Sequence, residues 1–151
     1  MNFSRFYLGM NYNGGGIQVA KKMIPELELL TAHQCTSRWV WSEAHEGHDF
    51  RLTIAATDLA DIARANYVIL ARLTKTARGC CCEEGMAIAL DKPVYLYLAP
   101  DVEPIGFDSL CQPWKEEWLT RLNTVLSEIA EAQAAPEPSS ASSDAAASEG
   151  S

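Results

Sequence analysis

The stretch "RGCCCEEGMAIALDKPVYLYL", Arg78 to Leu98, gathers the residue types that could do chemistry: three consecutive cysteines and two adjacent glutamates in front of a small-residue helix and an apolar strand. Successive helix positions are about 100° apart, so the two carboxylates cannot share a direction. Glu83 lines up with Ala87 and Leu90 and is expected to face inward, whereas Glu84 lines up with Ile88 and Asp91. A carboxylate on the buried side of a first helical turn is stabilised by the helix dipole, and it can serve a ligand or simply complement that dipole. Cys80, Cys81 and Cys82 offer a second chemistry, because a helix N-terminus lowers a thiol pKa. No histidine stands beside them, and none of the five cysteines has CxxC spacing, so neither a zinc site nor a disulfide framework is implied. Free thiols used as small, soft residues are the plainer reading.

The elements around this stretch alternate. "RFYLGM" is a short apolar run read as a buried strand, and "NYNGGG" breaks it. From Ile17 a helical stripe runs through Ala20, Met23, Ile24, Leu27 and Leu30, with Pro25 expected to kink it or to start a second helix. "QCTSRWVW" is a candidate second strand, and "SEAHEGHDF" a polar loop. "RLTIAATDLADIARAN" is a helix feeding the buried strand "YVILARL", and the 78–98 stretch repeats the pattern. "APDVEPIGFDSL" could hold a short edge strand. A closing helix follows, with Pro113 near its start and a stripe of Trp118, Leu122, Val125 and Ile129 that should dock on the sheet or on a second subunit. Such an order predicts an α/β domain with a mostly parallel sheet whose ligands sit beyond the carboxyl ends of its strands.

Composition narrows the function. The chain has 151 residues, suited to one domain, and a net charge of −8 that argues against tracking a nucleic-acid backbone. No segment approaches the roughly 20 apolar residues of a membrane span, and the N-terminus lacks a signal-peptide pattern, so a cytoplasmic protein with no membrane partner is expected. From Ala134 onward "AAPEPSSASSDAAASEGS" has no large apolar residue, which predicts a disordered acidic tail over 134–151 behind a domain over 1–133. Three of the eight excess negative charges, on Glu137, Asp144 and Glu149, belong to that tail.

Three blocks, "FYLGM", "TDLADIARANYVIL" and "RGCCCEEGMAIALDKPVYLYL", together resemble the nucleoside 2-deoxyribosyltransferase-like superfamily, which includes deoxynucleotide N-glycosidases. They arrive in family order and span most of residues 5–98; "TSRWVW" and "EPIGFDSL" add weaker likeness. The resemblance implies a flavodoxin-like (Rossmann-like) three-layer α/β sandwich of about five strands, no cofactor or metal, a small nucleoside or nucleotide as ligand, and a homo-oligomer. It makes Glu83 the nucleophile, as the glutamate two residues before a glycine. Asp58 becomes the aspartate that handles the departing base, with Asp61 as a second candidate one turn on, and Tyr7 the tyrosine that orients the nucleophile. Gly9 and Met10 fall where backbone would approach the substrate, and Gly79 and Gly85 are the glycines of the last block, assigned with it to substrate binding. Arg38 and Trp39 offer a cation and an aromatic face for a phosphate or base, although Trp39 also suits a core. The Asn13–Gly16 run could cradle a phosphate or be a plain turn.

The residue types suit that reaction. Breaking an N-glycosidic bond builds positive charge on the anomeric carbon, which a carboxylate can stabilise or trap, while a carboxyl of raised pKa helps the base leave. The expected function is therefore cleavage or transfer at the N-glycosidic bond of a 2'-deoxynucleoside or its monophosphate. The family's asparagine-containing segment after the fourth strand has no counterpart in "APDVEPIGFDSL", so the resemblance does not extend to subunit sharing of the site. A non-catalytic nucleotide-binding module of the same fold is the alternative, and a thiol protein using Cys80 to Cys82 a third.

Overall fold

The computed structural model describes residues 3–11, 15–41 and 48–135, without the side chains of 48–53. Residues 42–47 of the histidine-bearing loop, half of the Asn13–Gly16 run and the tail beyond Ala135 lie outside the described residues, and the end of that expected loop, residues 48–50, is instead the first turn of a helix.

Five parallel strands, β1 (Arg5–Met10), β2 (Gln34–Cys35), β3 (Tyr67–Arg72), β4 (Val94–Leu98) and β5 (Gln112–Pro113), stand in the order β2-β1-β3-β4-β5. Helices α1 (Gly16–Thr31) and α4 (Glu116–Ala134) pack together on one face; α2 (His48–Arg64) and α3 (Arg78–Ala89) pair on the other. This is the flavodoxin-like three-layer sandwich, and its chain order reverses between β1 and β3, where doubly wound sheets open a crevice. The expected fold class is the observed one.

Strand pleat then decides which residues meet which helices. Tyr7 and Gly9 stand beside Val68 and Leu70 in register, facing α2 and α3. Phe6 and Leu8 point the other way, into a core completed by Met23, Leu27, Trp118 and Leu122. The closing-helix stripe is consumed within the chain: Trp118, Leu122 and Val125 are buried, and Trp118 meets Tyr95 edge to face at 5.2 Å. Lys22–Glu128 and Arg121–Glu26 pairs at 3.7 and 3.6 Å border the α1–α4 contact.

Three local expectations are corrected. The second strand stops at Cys35 and a 3-10 turn occupies Trp39–Trp41, because side chains replace the ladder. Ser37 Oγ accepts from Leu8 N–H and donates to Leu8 O, both at 2.8 Å, and Trp39 donates its indole N–H to Leu8 O at 2.8 Å. With those backbone groups satisfied, nothing recruits further strand. Helix α1 runs unbroken through Pro25, which lies on its exposed side, where water can take the carbonyl that loses its partner. The segment after β4 forms a 3-10 turn over Gly106–Leu110, and Pro113 sits in edge strand β5 rather than in α4.

Candidate active site

Tyr7 from β1, Asp58 from α2 and Glu83 from α3 come together beneath the two helices. Tyr7 is fully buried, and Asp58 and Glu83 are 8% and 7% exposed. Tyr7 Oη, Asp58 Oδ1 and Glu83 Oε2 are all buried without a hydrogen-bond partner of ordinary geometry, an expensive arrangement for a core. The three groups nevertheless feel one another. Burial pushes the Glu83 carboxyl well above the usual range and the Asp58 charge pushes it further, while the Tyr7 hydroxyl partly offsets both. Asp58 is raised to about 6, again by burial first, with Tyr7 pulling down and Asp61 pushing up. Tyr7 itself is raised by burial and then by the two carboxylates.

Gly9 makes this geometry possible. A Cβ there would stand 2.1 Å from Glu83 Oε2 and 2.6 Å from Leu70 Cδ2, so the Glu83 carboxylate rests on the bare backbone of β1. Its backbone angle is ordinary, and the need is for space alone. The role expected for Gly9, backbone approach by a substrate, is thus occupied by the carboxylate. Gly79 and Gly85 have open space where a Cβ would go, and Met10 is buried at the end of β1.

Asp61 takes a different position from Asp58. Fully buried, it accepts from Arg38 N–H at 2.9 Å, from Arg38 Nε at 2.8 Å and from Arg64 Nη2 at 2.9 Å. Two guanidiniums hold it, and Arg38 is spent in part on that contact. Trp39 is 3% exposed beneath β1, which matches the core alternative. Of the two aspartates, Asp58 is the one with an unpartnered oxygen.

Two expectations about α3 are corrected. The helix begins at Arg78, so Glu83 lies in its second turn, where the dipole has faded and burial dominates its pKa. Glu84 is also buried, although the helical-face argument turned it outward. Arg72, closing β3, supplies the reason: its Nη2 lies 3.4 Å from Glu84 Oε2 and also contacts Asp108, while Nη1 donates to Cys81 Sγ at 3.4 Å. An arginine ending a buried strand signals a buried carboxylate partner somewhere, but not which one.

Asn11 carries no motif that singles it out in the sequence. Its Oδ1 accepts from Leu73 N–H at 3.1 Å and its Nδ2 donates to Thr74 Oγ1, tying the carboxyl ends of β1 and β3 at the crevice. Gly16 opens α1 against the Asn11 carbonyl, where a Cβ would come within 1.5 Å. Of the three consecutive cysteines, Cys80 is a packing group, Cys81 is half-buried and Cys82 is exposed. Cys80 is buried against Ala71 O at 3.7 Å, and burial drives its pKa up, opposite to what a reactive thiolate needs. Among the described residues no group of three His, Cys, Asp or Glu side chains could hold a metal, and no helix is long and apolar enough to cross a membrane.

The protein is thus a parallel flavodoxin-like α/β sandwich with a buried carboxyl pair under its β1–β3 crevice. Among solved structures the chain is similar to a 2-deoxyribosyltransferase from the psychrotolerant bacterium Bacillus psychrosaccharolyticus, at 19% identity and TM-score 0.60, over 80% of this chain and 91% of that one. It is also similar to a CMP N-glycosidase of Clostridium botulinum, at 18% identity and TM-score 0.51, over 82% and 99% of the respective chains. At this identity the likeness establishes a shared fold. No family model and no curated protein matches the sequence.

Proposed function

We propose that the protein belongs with the nucleoside 2-deoxyribosyltransferases and N-glycosidases and cleaves or transfers the N-glycosidic bond of a 2'-deoxynucleoside or its monophosphate. The observation that carries this reading is the convergence of Tyr7, Asp58 and Glu83 around unpartnered oxygens, with Glu83 seated on Gly9. A buried carboxyl pair with raised pKa values and no structural partner is a hallmark of sites built to move protons. The names of the two similar structures, a deoxyribosyltransferase and a nucleotide N-glycosidase, lend the same direction.

In this reading the pair holds one proton near neutrality, since burial and mutual repulsion disfavour two charges. Burial raises Glu83 further than Asp58, so the resting proton sits on Glu83; the productive form is the tautomer in which that proton has passed to Asp58 and the charge lies on Glu83, with Tyr7, which feels both carboxylates, steadying the exchange. Glu83 bonds to the anomeric carbon as the carbon–nitrogen bond breaks, the bonding pair leaves with the base, and Asp58 delivers its proton to it. The glycosyl ester then passes to water, whose proton returns to Asp58, or to a second base.

Incubation with deoxynucleosides and their monophosphates, with and without an acceptor base, tests this by mass spectrometry of products and intact protein. Released or exchanged base together with a deoxyribosyl adduct on the Glu83 peptide is the expected result. Saturable binding with no base released would replace the enzyme by a nucleotide-binding module, and full activity in Glu83→Ala would remove the nucleophile assignment.

A further inference from the structure

At the opposite, amino-terminal edge of the sheet a cavity of about 350 Å³ opens between the end of α1 and the start of α4. That volume lies within the range of small-molecule sites, roughly 300–1,000 Å³. Its walls are aromatic: Tyr67 and Tyr95 meet edge to face at 5.9 Å, and Tyr95 meets Trp118 likewise. The buried indole N–H of Trp118 has no hydrogen-bond partner. Hydrogen bonding around the rim leaves mostly donors unused. His33 Nδ1 is engaged by Tyr67 Oη at 2.8 Å, and the tautomer in which it accepts leaves Nε2–H available. Asn66 Oδ1 already accepts from Arg5 N–H, which leaves its amide N–H groups. Lys115 Nζ stands 5.4 Å from the Trp118 ring centroid, in range for a cation–π contact, and has no ion-pair partner among the described residues. Glu117 on the same rim is the one carboxylate and confines an incoming negative charge to the Lys115 side.

From this geometry we infer a second ligand site, separate from the Glu83 cluster, that takes a planar aromatic anion: its ring against the half-buried Tyr67 and Tyr95, over the buried Trp118 that backs them, its oxygens toward Lys115, His33 and Asn66. Aromatic walls supply stacking area, and the donor excess selects for a carboxylate or comparable oxyanion over a cation of the same shape. The site rests on residues of β3, β4 and α4 that the catalytic reading does not use.

The test uses 2-naphthoate as probe and 2-naphthylmethylammonium as its cationic counterpart, titrated into the full chain while the tryptophan indole N–H resonances are followed by NMR. Saturable 2-naphthoate binding that shifts the Trp118 indole signal is expected, with little response to the cation. Lys115→Glu, an exposed position, should weaken the binding about tenfold or more and His33→Ala severalfold, while Glu83→Gln leaves it unchanged. The inference is overturned by absence of saturable binding at millimolar probe, by equal binding of the cation, or by binding that survives Lys115→Glu and disappears in Glu83→Gln. Since Glu83→Gln removes the proposed activity without touching this cavity, failure of one reading does not imply failure of the other.

Discussion

The two faces of one sheet are equally buried and differently spent. On the α1/α4 face Phe6, Leu8, Met23, Leu27, Trp118 and Leu122 pack as an apolar core. On the α2/α3 face Tyr7, Asp58, Glu83, Glu84 and Arg72 occupy comparable depth with polar atoms, several unpartnered. The first face holds the fold; on the second, Arg72 and Glu84 offset their burial by pairing, and the proposed function accounts for the desolvation of Tyr7, Asp58 and Glu83. Substitutions on the two faces should therefore separate activity from stability.

Glu83→Gln should give the largest effect: loss of turnover by a factor of about 10³ or more with the fold retained, measured as base release alongside circular dichroism. A stable variant with unchanged turnover would erase the contrast between the faces. Gly9→Ala should come next. Its methyl displaces the Glu83 carboxylate, so turnover should drop by about 10² while stability falls only about 1–3 kcal/mol. On the other face Leu122→Ala should lower unfolding free energy by about 2–5 kcal/mol, read from urea titration, and leave kcat of the folded fraction near the parent value.

The smaller predictions concern protons. Activity should follow a bell, rising as the carboxyl pair loses its first proton around pH 6 and falling once Glu83 and Asp58 are both charged and no acid remains. Stability carries the opposite sign from an ion-paired carboxylate. Asp58 is raised in the folded state from 3.8 to about 6, so the folded protein binds the extra proton, and stability is lost as pH rises across that window. Asp58→Asn should accordingly stabilise the protein at pH 8, by up to about 3 kcal/mol, with the gain vanishing below pH 4. Asp61→Asn should instead destabilise the protein, since it strips a charged partner from Arg38 and Arg64. Equal responses of the two aspartates would remove the distinction between them.

The alternation of apolar strands with amphipathic helices determined the α/β class, because periodicity of 2 against 3.6 residues is local information. "YVILAR", "PVYLYL" and the Trp118–Leu122–Val125 stripe were legible for that reason. Glu83 was singled out from sequence by its helical face, and Asp58 and Tyr7 became candidates beside it only through the resemblance of their blocks, since the three lie on different elements. Every relation across elements depended on how the chain packs. Gly9 reads as a place for backbone to approach a substrate until a carboxylate from α3 is laid over it. Asp61 and Asp58 look interchangeable on one helix, and two arginines from elsewhere single out Asp61. The second strand ended where Ser37 and Trp39 met the backbone of β1, and Glu84 turned inward because Arg72 awaited it across the layer. Burial and countercharge arise from residues far apart in the chain, and those are the terms that local sequence does not contain.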